Sequence, residues 1–209
     1  MSHIVLLGDS IFDNLSYTKG GPDVVSQVRE LLPNGWQATL LAVDGSTTEG
    51  VFAQVPRIPP GATHLILSVG GNDALMNSEF LLEPFVSPSH ALAKLAEVSE
   101  RFEKNYRRTV LACNGMGLPL TICTIYNGNF PDKEYQRVAS TALMVFNDVI
   151  LRIAFEFGLT LIDLRFVCSS AEDYANPIEP SSKGGGKIAR CILASVKPIG
   201  NGGSRVIIG

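Results

Sequence analysis

The chain has 209 residues, 45% of them hydrophobic, and a net charge of −3. That is enough chain to bury one sizeable core, so a single domain over residues 1–209 is expected, and the charge leaves no basic footprint for nucleic acid. No apolar run suggests a membrane span and no basic leader with a cleavage site opens the chain, while the scattered Cys113, Cys123, Cys168 and Cys191 form no metal or disulfide pattern; free thiols and a cytoplasmic setting follow.

Ile4 to Leu7 reads as a short buried strand that stops at Gly8-Asp9-Ser10. A serine is therefore displayed just past the carboxyl end of an early strand. Asp23 to Leu32 has the apolar stripe of a short helix (Val24, Val25, Val28, Leu31), ended by Pro33-Asn34-Gly35. Trp36 to Val43 is a second strand. It stops at Asp44-Gly45-Ser46-Thr47-Thr48, where Thr47 or Thr48 is expected to cap a helix running to about Val55. His64 to Val69 is a third strand, entering the turn Gly70-Gly71-Asn72-Asp73, and a long loop leads on to Pro88. A helix is predicted from Ser89 to Asn114, closed by Gly115 and Gly117.

Leu118 to Ile125 is the fourth strand, followed by the loop Tyr126 to Asp132. An amphipathic helix from Lys133 to Phe157 ends at Gly158, and Leu159 to Ile162 is the fifth strand, ending at Asp163. A polar loop from Cys168 to Ser182 precedes a last helix, Lys183 to Val196. The tail, with Gly200, Gly202 and Gly203, reads as loop plus a short edge segment. Strands alternate with helices throughout. That pattern predicts a three-layer α/β/α sandwich on a mostly parallel five-stranded sheet, with a flavodoxin-like strand order.

Parallel strands place their carboxyl ends on one edge, which gathers Ser10, Gly45, Asn72 and the loop around residues 173–179. A serine beside backbone N–H groups and an Asn amide suits acyl transfer: the hydroxyl attacks a carbonyl and the fixed donors hold the oxyanion. The sequence here resembles the SGNH hydrolases, the GDSL family of esterases and lipases, over nearly its whole length. Gly8-Asp9-Ser10 matches the nucleophile block, Gly45 in VDGSTT the second block, and Gly70-Gly71-Asn72-Asp73 the GxND block. The resemblance implies Ser10 as nucleophile, with its own N–H, the Gly45 N–H and the Asn72 side chain as oxyanion donors. It implies no metal or organic cofactor and a small-molecule ester as substrate.

The fourth block departs from the family. Where the family has Asp-x-x-His before the last helix, this chain has Asn176-Pro177-Ile178-Glu179. The family's histidine base is absent. His3 and His64 begin strands, so they belong at the far edge of the sheet. His90, at the start of a helix, is placed by topology on the same edge as Ser10 and is one replacement. Glu179 is the other: burial can raise a Glu towards the range in which it takes a serine proton. The paired change is chemically consistent, because an Asp beside a glutamate base would repel it, whereas Asn176 could donate a hydrogen bond. Asp173 is a spare carboxylate, read as a loop hydrogen-bonder, and Asp9 a neighbour of the nucleophile. Two functions remain open: a serine ester hydrolase with an altered base, or an impaired protein of the same fold that binds a small ester, acyl or sugar ligand without turnover.

Overall fold

The computed structural model describes residues 2–196 and 204–209. Among these described residues six strands form one parallel sheet in the order β2-β1-β3-β4-β5-β6. They are β1 (His3–Gly8), β2 (Gln37–Leu40), β3 (His64–Ser68), β4 (Leu120–Cys123), β5 (Thr160–Ile162) and β6 (Arg205–Ile207). The first five positions follow the expected flavodoxin-like order. The sixth strand corrects the expected count: the edge segment anticipated in the tail pairs in parallel with β5, Leu161 opposite Val206. Gly200, Gly202 and Gly203 lie outside the described residues.

The helices are α1 (Val24–Leu31), α2 (Gly71–Leu75), α3 (Pro88–Asn114), α4 (Lys133–Glu156), α5 (Leu164–Val167) and α6 (Ser182–Ser195). Asp23, Ser87, Asp132 and Ser181 cap α1, α3, α4 and α6, each side chain accepting a backbone N–H of the first turn. Strand side chains alternate between two cores. Val5, Leu7, Leu65, Leu67, Ile122 and Leu161 pack beneath α3 and α4. Ile4, Leu6, Ile66, Cys123 and Ile162 pack beneath α1 and α6.

Two expectations change in the fold. The helix anticipated from Thr47 or Thr48 is two short 3-10 turns, Gly50–Ala53 and Val55–Arg57. Pro56 lacks the N–H a continuing helix would use, and Thr48 turns its hydroxyl to Asp73. The expectation that no segment suggests a membrane span also fails for α4, which by length and composition could cross one. In this fold α4 lies on the sheet with Phe146, Val149, Ile150 and Ile153 buried, and its outer face carries the Asp148–Arg152 pair.

The strand order fixes where a site can form. From β1 the chain passes to β2 on one side, while β3 pairs on the other. β1 and β3 therefore flank the topological switch point, where a crevice opens beyond the strands' carboxyl ends. Gly8 is opposite Ser68 in this pair, so Asp9-Ser10 and Gly70 to Asp73 leave the sheet side by side.

Candidate active site

The turn after β1 is made by Gly8, whose φ is +128°; a Cβ there would lie 1.8 Å from the Ser68 carbonyl oxygen. Only glycine fits both the conformation and the space. Its N–H and C=O are both held by the buried Gln54 amide at 2.8 Å. Asp9 N–H donates to Ser68 O at 3.1 Å, and Asp9 Oδ1 accepts from Ile11 N–H. The loop is thus fixed at three points, and it presents Ser10, itself buried, to a cavity of about 110 Å³.

Asn72, in the first turn of α2, lines the same cavity. Its Nδ2 donates to Ser46 O at 2.9 Å, which ties it to the loop after β2 and leaves the second amide hydrogen of that nitrogen free. Asp73 accepts from Thr48 N–H at 3.0 Å and from Thr48 Oγ1 at 2.6 Å. Asn72 and Asp73 together clamp the loop carrying Gly45. Gly45 itself is exposed at the rim, with φ +77° and open space where a Cβ would be. It does not line the cavity wall.

Glu179 also lines the cavity. Its carboxyl is buried, Oε2 has no hydrogen-bond partner among the described residues, and its pKa is pushed up to about 7. Burial is the main cause; the nearby Ser10 hydroxyl pulls it down, and the Asp44 charge pushes it up again. Glu179 and Ser10 are therefore direct neighbours. The Glu179 loop is a small hairpin: Tyr174 bridges Pro180, and Ala175 N–H donates to Glu179 O at 2.8 Å. Asn176 Oδ1 accepts from the N–H groups of Ile178 and Glu179, both at 2.9 Å. Asn176 thus shapes the backbone beneath Glu179, and the side-chain donation to the base that the sequence suggested is replaced by acceptance from the main chain.

The other candidates separate from the site. His90 is exposed on the first turn of α3 and packs edge-on against Phe85 with centroids 5.4 Å apart. It does not line the cavity, which α3 reaches only at Leu95, more than a turn further on. Asp173 is fully buried but accepts from Ser169 and Ser170 N–H and from Lys187 Nζ at 2.8 Å. His3 and His64 bond to Thr39 and Thr63 at the amino ends of the strands, away from Ser10. Asp9 lines the cavity and is pushed up to about 8 chiefly by burial, then by the charges of Glu179 and Asp73.

Three contributors carry roles that the sequence did not assign to them. Gln54 was placed inside a predicted helix, where a glutamine carries no signal. Tyr126 holds the base loop through its hydroxyl, 2.6 Å from Ile178 O. Asp44, whose charge raises the Glu179 pKa, accepts from the Tyr17 hydroxyl at 2.7 Å. Its position beside Gly45 was the available hint.

An α/β protein that displays a serine at its switch point, beside a side-chain amide and a buried carboxyl, has the architecture of a serine-type acyl hydrolase. The chain belongs to the GDSL-like Lipase/Acylhydrolase family, whose model matches residues 6–184. Among solved structures it resembles an extracellular lipase from Streptomyces rimosus, with 15% identity, a TM-score of 0.65, and coverage of 94% of this chain and 100% of that one. It also resembles phospholipase A1 from Streptomyces albidoflavus (16%, 0.65, 93% and 99%). A third is an acetylxylan esterase from Geobacillus stearothermophilus (18%, 0.63, 95% and 95%). At these identities the likeness is one of fold. A comparison with curated protein sequences finds no match.

Proposed function

We propose that the protein is a serine ester hydrolase in which Glu179 replaces the histidine base. The observation that carries this is that Ser10 and Glu179 line one cavity as near neighbours: the carboxyl is buried, its Oε2 has no partner among the described residues, and its pKa is pushed up to about 7. In the first half-reaction Ser10 Oγ attacks the ester carbon while its proton passes to Glu179. The carbonyl electron pair moves onto oxygen, held by the Ser10 N–H and by the free Asn72 amide hydrogen, while Gly45, at the rim, is left out of the hole. The tetrahedral species collapses, the C–O bond to the alcohol breaks, and Glu179 returns the proton to the leaving oxygen. Water then gives a proton to Glu179 and attacks the acyl carbon, and Ser10 leaves with that proton.

The family base needs a partner carboxylate to hold its tautomer. A carboxylate base does not, which fits Asn176 serving the backbone instead. The four cysteines are free and buried, which supports the cytoplasmic setting.

The test uses hydrolysis of p-nitrophenyl acetate and labelling by a fluorophosphonate. The wild type should turn over ester and be labelled at Ser10, and Ser10→Ala should lose both. Glu179→Gln should fall by about 10²–10⁴-fold. Undiminished turnover by Ser10→Ala would refute the nucleophile. Full activity of Glu179→Gln would refute the base.

A further inference from the structure

The cavity continues well past the reacting groups, and its walls differ at the two ends. Glu179 must hand its proton to the leaving alcohol, so the alcohol lies on the Glu179 side, towards Tyr17 and Asp44, and the acyl group runs the other way. On that side the wall is Phe80 and Leu81 from the segment after α2, Leu95 from α3, and Ala142, Leu143 and Phe146 from α4. The α4 positions Tyr135, Ala139, Ala142 and Phe146 follow one face of the helix. At 1.5 Å per residue they form a track about 16 Å long.

Most polar groups along this wall are already engaged, the Tyr135 hydroxyl and the Asn127 side chain being the exceptions. Ser78 Oγ donates to Leu75 O, Asn77 Nδ2 to Asp73 O, and Tyr126 Oη to Ile178 O, while Thr124 Oγ1 donates to Asp163. Two open groups are few for recognising a ring of sugar hydroxyls, and the rest of the wall is apolar. Among the described residues no Lys, Arg or His lines the cavity, so an anionic acyl group would find no counter-charge beside Asp9 and Glu179. Phe80, Leu81, Leu95 and Ala142 also wall a second, open cleft that reaches the surface past Leu92 and Val138, where Glu134 and Arg137 stand at its mouth with opposite charges. Ala142, small and buried, stands where the two spaces meet.

We propose that the site takes esters of uncharged medium-chain acyl groups, hexanoyl to octanoyl, with the chain lying between α3 and α4 and passing Ala142. This rests on the serine-hydrolase reading above and names its substrate class.

The experiment compares kcat/KM for p-nitrophenyl acetate, butyrate, hexanoate and octanoate. The wild type is expected to gain up to about fourfold per methylene buried. Ala142→Phe should lower octanoate relative to acetate by at least about tenfold. Because a buried Phe could overpack α4, Leu95→Asp, on a half-exposed turn of α3, places a carboxylate on the same wall and should lower the same ratio. Values that are flat or fall from acetate to octanoate in the wild type would overturn the acyl channel and leave the hydrolase reading standing. If no ester is turned over in a Ser10-dependent way, the hydrolase reading fails. Calorimetric binding of methyl octanoate and methyl acetate to Ser10→Ala then decides the channel alone: preference for octanoate supports it, and equal or no binding refutes it.

Discussion

Glu179 sits between two demands. A general base must be ionised to accept the Ser10 proton, yet burial favours its neutral form. A pKa of about 7 leaves enough carboxylate near neutrality and makes it a far stronger base than an exposed Glu. Activity is carried by the ionised form, so kcat/KM should rise with pH through about 7 and level off above it. Asp44 contributes to the upward shift. Asp44→Asn should therefore move the acid limb to lower pH, measured as a pH profile on p-nitrophenyl acetate; an unmoved limb would show that Asp44 does not act on the base. The family pattern supplies a second prediction at these positions. Asn176 Oδ1 already accepts two backbone N–H groups, and an Asp carboxylate can accept the same pair. The double variant Asn176→Asp/Glu179→His should retain the hairpin and recover activity over Glu179→Gln by about tenfold or more. A double variant as slow as Glu179→Gln would mean that the loop positions a carboxylate and not an imidazole.

At the level of elements, the site depends on how β1 ends. The Gly8 turn is locked by its fit against Ser68 and by the Gln54 amide. Gly8→Ala would force a Cβ into the Ser68 carbonyl at a φ of +128°. It should cost more than about 4 kcal/mol, read as a collapse of the urea midpoint or failure to fold. A well-folded Gly8→Ala variant would show that β1 and β3 can part without unfolding. The same elements explain what could be read from the sequence. Five strands were legible because each carries an apolar run, and Ser10, Asn72 and Glu179 because each follows a strand's carboxyl edge or precedes the last helix. The family resemblance then attached roles to them. β6 was legible only as an edge segment, since three residues set no period and its pairing with β5 joins distant parts of the chain. The segment after Thr48 departed from its helical pattern because Asp73 and Gly8, remote in sequence, claimed Thr48 and Gln54. His90 reached the expected end of α3, but that end stands clear of the core, so position on a helix did not translate into position in the site.

Across the molecule, the crevice gathers acids that the fold would be more stable without. Asp9 is raised to about 8, Glu179 to about 7, and Asp73 upward, each chiefly by burial. Cations that neutralise buried acids sit elsewhere, Lys187 on Asp173 and Arg165 on Asp163. For an acid whose pKa is higher in the folded state, the folded chain holds more protons between the unfolded and folded values, so stability falls as pH rises through that window. For Glu179, the rise from 4.5 to about 7 corresponds to about 3 kcal/mol lost by pH 8. Asp9 extends the decline to about pH 8. Stability should therefore fall from about pH 4 to 8, opposite to the rise of activity with Glu179 ionisation. Glu179→Gln removes one ionisable group and keeps the shape. It should be more stable than the wild type at pH 8, indistinguishable from it near pH 4, and nearly inactive at both. Asp9→Asn should flatten the remaining slope. Urea unfolding at several pH values measures this directly. A Glu179→Gln variant less stable than the wild type at pH 8 would mean that the ionised carboxylate is held by favourable contacts and that its pKa in the fold is not raised.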